Sequence, residues 1–161
     1  MSEPRSPPNP PPPLVLDLEW AGDLRFQGRS GDAEILMDSP PKAGPSPVQT
    51  LGFGLAGCMA MDVASILQRG RLELKSMRAH LEAARLAEHP KRLVAVDLRF
   101  TLQGPIPPDR VERAIQLSRE RYCSVWHSLN PDIEFKTSFE IVSELGGAAS
   151  HPPDPPPSRR E

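Results

Sequence analysis

The sequence predicts an α+β protein with its elements in the order βββ-α-ββ-α-β. Short stretches in which apolar and polar residues alternate predict the strands, and two longer stretches with helical spacing of apolar residues predict the helices. Proline dominates residues 1–13 and 146–161, so both ends are expected to be disordered tails. Residues 14–145 remain as one domain, long enough to bury a core.

Three strands are expected first. Residues 14–20 place leucine and tryptophan on one side and acidic residues on the other, and residues 21–23 are typical of a turn. Residues 23–27 alternate again, which completes a hairpin. Residues 28–31 are expected to turn the chain into a short third strand at 34–38.

The central helix has clear signals at both ends. Ser46 is the expected N-cap and Pro47 the first helical residue. Arg69 lies in the expected last turn, before Gly70. The first half of this helix is apolar all round, which predicts burial on every side. Its three glycines predict close approach of another backbone, as in a tightly packed helix pair: Gly52, Gly54 and Gly57.

The second half of the body carries three more strands and one helix. Residues 74–86 alternate as a strand, although an alanine-rich helix over 77–87 is an alternative. Residues 92–102 give the clearest strand pattern, and residues 133–142 give the last strand. Between them, Asp109 is expected to cap a helix.

Composition excludes several functional classes. The net charge is −2 and the basic residues are scattered, so no nucleic-acid partner is expected. We expect no membrane partner, because no stretch of the sequence reaches the length needed to span a membrane. The four histidines lack ligand spacing and no CxxC motif occurs, so no metal or other cofactor is expected. Two cysteines and no secretory signal favour a reducing, cytoplasmic location.

The two cysteines are the strongest functional signal. Cys58 lies within the apolar half of the central helix, and Cys123 lies at the end of the second helix or the start of a short following one. A two-cysteine thiol peroxidase needs such a pair, one sulfur attacking the peroxide and the other resolving the sulfenic acid as a disulfide. The alternative is that both are small buried apolar residues.

Several motifs, taken in order, resemble the OsmC/Ohr superfamily, and most closely its general OsmC-like subgroup. The motifs are Ser46-Pro47, Ala56-Gly57-Cys58, Met61-Asp62-Val63, Glu88-His89-Pro90, Glu112-Arg113-Ala114-Ile115 and Tyr122-Cys123-Ser124-Val125. The resemblance covers residues 16–142. It implies an intertwined homodimer whose central helices are buried between two sheets.

The resemblance also implies an activity. Family members reduce organic hydroperoxides without metal, haem or flavin, using dithiol reductants of the lipoyl or thioredoxin type. Carried over, Cys58 is the peroxidatic cysteine and Cys123 the resolving one. The family's arginine, which stabilises the thiolate, comes from the N-terminal strand region, so Arg25 and Arg29 are the candidates here. Arg25 is expected on the strand face opposite the core, and Arg29 in a turn.

The chain departs from the family at the glutamate that holds this arginine. No glutamate occurs between Glu34 and Glu73, and Gln49 occupies the expected region. Glutamine can accept a hydrogen bond from an arginine but brings no charge. Asp38 and Asp62 are possible substitutes. Asp62, one turn after the first cysteine, would oppose thiolate formation unless a cation lies between them.

An apolar pocket is expected to favour alkyl or fatty-acid hydroperoxides. The side chains available to line it are Phe53, Met61, Tyr122 and Trp126, with Met59 also nearby in sequence. The alternative function is a non-catalytic dimeric module that binds an apolar ligand or senses redox state, which the missing glutamate favours.

Overall fold

The computed structural model describes residues 10–144, and these fall into two compact units that divide between Gly52 and Phe53. Most of both predicted proline-rich tails lies outside the described residues; residues 10–13 carry no regular structure. Sheets and helices are segregated along the chain, which confirms the predicted α+β class.

The first unit contains a three-stranded antiparallel sheet. Its strands are β1 (Asp17–Trp20), β2 (Phe26–Ser30) and β3 (Ala33–Met37), in the order β1-β2-β3. The predicted hairpin is therefore present, but the second strand begins and ends later than expected.

The turn predicted at residues 28–31 is wrong, because β2 continues to Ser30. Gly28 lies inside the strand opposite Leu18 and Ile35, whose side chains leave no comfortable space for a Cβ atom. The turn itself is shorter and begins at Gly31, whose φ of +57° favours glycine. Arg29 consequently lies in a strand and not in a turn.

The central helix, α1, spans Pro47–Arg69, and its predicted start is confirmed. The Ser46 hydroxyl accepts a hydrogen bond from the Gln49 backbone N–H (3.3 Å), and the Gln49 side-chain oxygen accepts one from the Ser46 N–H (2.8 Å). This reciprocal pair is a capping box, which satisfies backbone donors that the helix leaves without partners.

We expect Ser46→Ala to lower the free energy of unfolding by about 1 kcal/mol, because it removes the cap. Urea denaturation of the purified protein measures this change. Ser46→Asp is the matched control, since aspartate also caps helices and should retain most of the stability. Equal losses for both variants would contradict a capping role.

The prediction that α1 is buried on every side is wrong for the single chain. A stripe at helical spacing is buried, namely Leu55, Met59, Val63 and Leu67. Other apolar side chains of the helix are open, with Phe53 70% and Met61 75% exposed. Large exposed apolar side chains on one helix are typical of interaction surfaces.

The expectation that no segment is long enough to span a membrane is also wrong. By length and composition α1 qualifies, since its 23 residues include only two charged side chains, Asp62 and Arg69. The core helix of a water-soluble protein passes the same test, and α1 contributes four residues to a core.

The second unit contains a mixed sheet of β4 (Ser76–Arg85), β5 (Leu93–Gln103) and β6 (Glu134–Val142) in that order. β4 confirms a strand and excludes the alanine-rich helix. β5 pairs antiparallel with β4 and parallel with β6. A parallel pair needs a long crossover, which the helices between β5 and β6 provide.

That crossover consists of α2 (Pro108–Leu117), a π-helical turn (Ser118–Tyr122) and α3 (Ser124–His127). The prediction that Asp109 caps the helix is wrong, because the N-cap residue is Pro107 and makes no side-chain cap. Asp109 instead lies in the first turn, where a negative charge suits the helix dipole.

The core of the second unit lies where β5 meets α1 and the crossover. Alternate residues of β5 point into it, namely Val96, Leu98, Phe100 and Leu102, all fully or almost fully buried. The buried stripe of α1, the inner face of α2 and Cys123 belong to the same cluster. This packing fixes the relative positions of α1 and the crossover, and so of the two cysteines.

Candidate active site

Cys58 lies at the middle of α1, next to the buried stripe. Its side chain is half-buried and packs against the core cluster. Asp62 follows one helical turn later, so both side chains project from the same side of the helix.

Cys123 reaches the same place through the π-helical turn. The Cys123 N–H donates to the Ser118 carbonyl five residues earlier, at 2.8 Å, which is the hydrogen bond of a π turn. Cys123 is then the N-cap of α3, where its Sγ accepts the Trp126 N–H at 3.4 Å. The side chain is fully buried.

Packing brings the two cysteines together although 65 positions separate them (123 − 58). The two sulfur atoms and a carboxylate oxygen of Asp62 all lie within 4.8 Å of one another. Both thiols are free. A disulfide requires a sulfur–sulfur distance of about 2.05 Å, so the two side chains must move closer together before the bond forms. The three groups could also hold a metal ion that favours thiolate ligands.

The environment keeps the Cys123 thiol protonated. Burial raises the pKa of Cys123 to about 12, because the thiolate would lose its hydration. The hydrogen bond with Cys58 and the negative charges of Cys58 and Asp62 also raise this pKa, and the Trp126 amide opposes them only in part. Cys123 is therefore a hydrogen-bond donor to its neighbour at neutral pH.

Ser118 completes the cluster. Its hydroxyl is fully buried and donates to Oδ2 of Asp62 at 2.8 Å, so the carboxylate is held in one orientation. Ser118 is not among the site residues that the sequence predicts. A signal is present, because Ser118 follows Val111 by seven residues and Ala114 by four, which continues the buried face of α2 into the π-helical turn.

We expect iodoacetamide to modify Cys123 in the folded, reduced protein about 10²–10³-fold more slowly at pH 8 than in urea, because only the thiolate reacts. The rate should rise about tenfold per pH unit towards pH 12, since ionisation supplies the reactive form. Mass spectrometry of the cysteine peptides gives both rates. Fast modification of Cys123 at pH 8 in the folded protein would contradict this environment.

The two candidate arginines belong to the first unit, and each has a carboxylate partner there. Arg25, immediately before β2, pairs with Asp23 at 3.0 Å. Arg29 pairs with Glu34, its neighbour across the β2–β3 ladder, at 3.0 Å. The side chain of Arg25 is 39% exposed and that of Arg29 is 60% exposed.

Asp38 belongs to the same unit as Arg25 and is buried. The Ala43 N–H donates to its Oδ2 at 3.0 Å and lowers the pKa of Asp38. Burial opposes that shift, and the charge of Arg25 adds a smaller lowering. Arg25 therefore has a second carboxylate neighbour. The Gln49 oxygen, in contrast, is already engaged in the capping box with Ser46.

The four predicted pocket residues occupy different surroundings. Phe53 and Met61 are on the open face of α1, and Tyr122 is exposed beside Arg121. Trp126 is half-buried and lies against Phe135, with ring centroids 4.4 Å apart. Within the single chain, Phe53 and Met61 do not enclose a pocket.

The chain is similar to several known proteins and solved structures. The most similar curated proteins include protein YhfA of Escherichia coli strain K12, 37% identical over 130 residues that cover 78% of this chain and 96% of YhfA. A solved structure of a hypothetical protein from Aquifex aeolicus VF5 matches with a TM-score of 0.77 at 27% identity, covering 83% of this chain and 99% of that one.

A more distant solved structure is an organic hydroperoxide resistance protein OsmC from Legionella pneumophila. It matches with a TM-score of 0.63 and 14% identity over 83% of this chain and its whole length, so the likeness extends to the fold alone. The family model for OsmC-like protein matches residues 39–138, which include both cysteines. The chain belongs to the OsmC-like family.

Proposed function

We propose that the protein is a thiol-dependent peroxidase that reduces organic hydroperoxides with Cys58 and Cys123. The observation that carries this proposal is the position of the two sulfurs, which lie within 4.8 Å of each other across two helices. The name of the Legionella pneumophila neighbour, an organic hydroperoxide resistance protein, supports the substrate class.

In the first step, the Cys58 thiolate attacks the outer oxygen of the hydroperoxide. The O–O bond breaks, the alkoxide takes a proton and leaves as an alcohol, and Cys58 becomes a sulfenic acid. The Cys123 sulfur then attacks the Cys58 sulfur. A disulfide forms, and the sulfenic hydroxyl leaves as water with the Cys123 proton. A dithiol reductant returns both cysteines to thiols and is itself oxidised to a disulfide.

The surroundings of the two sulfurs support this division of roles. Cys58 is half-buried, so a substrate has access to it, whereas Cys123 is fully buried. A protonated Cys123 can donate a hydrogen bond to a Cys58 thiolate and so stabilise it. The opposite assignment would require the buried, protonated sulfur to attack first.

Arg25 is the proposed cation that stabilises the thiolate and the departing alkoxide. It is less exposed than Arg29, and it has Asp23 and Asp38 as carboxylate neighbours in place of the family's glutamate. Gln49 then serves as a helix-capping residue, because its side-chain oxygen accepts the Ser46 N–H.

The proposed active form is a homodimer in the cytoplasm. The open apolar face of α1, with Phe53 and Met61, supports a partner chain that would complete an apolar pocket with Tyr122 and Trp126. Light scattering after gel filtration should give twice the chain mass of 17.7 kDa. A monomer in solution would leave this apolar face unexplained and would contradict the dimer.

A steady-state assay tests the proposed reaction. The reduced protein should consume cumene hydroperoxide faster than hydrogen peroxide when dihydrolipoamide or reduced thioredoxin is supplied, because the expected pocket is apolar. Glutathione, a monothiol, is the control and should support slower turnover. Consumption no faster than in protein-free buffer with either dithiol would contradict the peroxidase.

The second candidate is a non-catalytic dimeric module that binds an apolar ligand or senses redox state. The absence of a glutamate from residues 35–72 and the engagement of Gln49 in the capping box favour it. The same assay separates the two, since this module would not turn over. As a redox sensor it would consume at most one equivalent of peroxide per chain, and as a ligand-binding module it would keep its thiols.

A further inference from the structure

Three side chains that can bind a metal meet in the cysteine cluster. Cys58 and Asp62 are one turn apart on α1, and Cys123 arrives from the crossover, with all three donor atoms within 4.8 Å of one another. From zinc–sulfur and zinc–oxygen bond lengths, ligand atoms of a tetrahedral zinc site are about 3.3–3.8 Å apart. Movements of the donor atoms by about 1 Å would bring even the widest pair to that separation.

The groups around the donors resemble the outer shell of a metal site. Metal-bound carboxylates normally accept a further hydrogen bond that fixes their orientation. Ser118 supplies one to Oδ2 of Asp62, which leaves the other oxygen for a ligand bond. The Trp126 N–H similarly orients the sulfur of Cys123. The Ser118 hydroxyl and the Trp126 N–H are both neutral hydrogen-bond donors. Neither therefore neutralises the negative charge that would attract a cation.

The donor set selects the kind of ion. Two thiolates and one carboxylate suit borderline-soft Zn²⁺ and do not suit Mg²⁺ or Ca²⁺, which prefer oxygen ligands. Three protein ligands leave a fourth position for water. A cation between Asp62 and the two sulfurs would also offset the negative charge of the carboxylate and of the thiolates that form when the ion binds.

We propose that Cys58, Asp62 and Cys123 form a Zn²⁺ site in the reduced protein, with Ser118 as the residue that positions Asp62. Binding releases the protons of the thiols and involves no change in oxidation state. Occupancy would also block attack on peroxide and protect both sulfurs from oxidation. Only this last consequence rests on the proposed function.

Direct titration of the reduced, full-length protein with Zn²⁺ against a chromophoric chelator tests the site. We expect one ion per chain. Asp62→Asn, Cys58→Ser and Cys123→Ser should each weaken binding at least about tenfold, and Ser118→Ala should weaken it about 10–100-fold. Asp97→Asn, a change of an exposed aspartate on β5, is the matched control and should leave the affinity unchanged.

Co²⁺ provides a second measurement that does not depend on activity. Binding should produce thiolate-to-cobalt charge-transfer absorption that Cys58→Ser and Cys123→Ser each reduce. Circular dichroism checks that the variants fold, and Asp62→Asn keeps an acceptor for the Ser118 hydroxyl. Absence of stoichiometric Zn²⁺ binding by the folded wild-type protein, or equal binding by wild type and Asp62→Asn, would overturn the proposal.

The two proposals can fail separately. Zinc affinity is measured without peroxide, and peroxide consumption is measured with a chelator present. A protein that reduces peroxide but binds no zinc loses only the metal site, and one that binds zinc but consumes no peroxide loses only the peroxidase. If both hold, one equivalent of Zn²⁺ should slow the loss of the protein's own thiols to one equivalent of peroxide, and the chelator should restore the rate. This measurement is made without dithiol, because a dithiol would itself bind Zn²⁺.

Discussion

Replacement of Cys58 by serine is expected to reduce peroxide consumption at least about a thousandfold, to the protein-free rate, because a hydroxyl cannot replace the attacking thiolate. The measurement is the initial rate of cumene hydroperoxide loss with a dithiol reductant. The variant should remain folded, since the change removes little volume from a half-buried position.

Cys123→Ser is the matched control for this result. It removes the resolving sulfur but leaves the first step, so one equivalent of peroxide should convert Cys58 to a sulfenic acid that dimedone traps. Without dimedone, excess peroxide should oxidise this sulfenic acid to the sulfinic acid. Peroxide consumption by Cys58→Ser at the wild-type rate, or failure of Cys123→Ser to form a trapped adduct, would contradict the assigned roles.

Replacement of Arg25 by glutamine is expected to lower kcat/KM for cumene hydroperoxide about 10²–10³-fold. The guanidinium is the proposed source of positive charge for the thiolate and the alkoxide, and losing one such group typically has an effect of this size. Stopped-flow measurement of the first oxidation step should show the same loss, because the change acts before the disulfide forms.

Arg29→Gln makes the matched comparison. Arg29 is more exposed and pairs with Glu34 across two strands, and such surface pairs contribute about 0–1 kcal/mol to stability. We expect its kcat/KM to stay within about threefold of wild type. A large loss for Arg29→Gln with none for Arg25→Gln would exchange the two assignments.

The sequence was sufficient for most secondary-structure elements because local signals and packing agreed there. Strand β5 alternates strictly along its length, and Ser46-Pro47 marks the start of α1. The bounds of the second strand differ from the prediction because glycine at position 28 is typical of a turn. It is instead a strand glycine whose missing side chain makes space for Leu18 and Ile35.

The burial of α1 could not be predicted for a different reason. The apolar composition of the helix reflects every surface that it buries, including any buried against a partner chain, whereas one chain buries only one stripe of the helix. The same composition explains why α1 qualifies in length and apolarity as a membrane span. Sequence hydrophobicity does not distinguish among a core, a subunit interface and a lipid environment.

The candidate site was predicted in part. The two cysteines were identified from their chemistry and their family motifs, but their proximity depends on packing between α1 and the crossover. The π-helical turn that places Cys123 beside Ser118 has no strong sequence signature, so the Ser118–Asp62 contact was missed. Histidine spacing and CxxC motifs are local signals of metal sites. They do not detect thiols and carboxylates that tertiary packing brings together.

The most direct test of the account is peptide mapping of the reduced protein after one equivalent of cumene hydroperoxide, with free thiols blocked before unfolding. We expect rapid loss of both thiols and a disulfide-linked peptide pair containing Cys58 and Cys123 of the same chain. Survival of both thiols, or oxidation of one cysteine to sulfinic acid while the other stays a thiol, would contradict the two-cysteine mechanism.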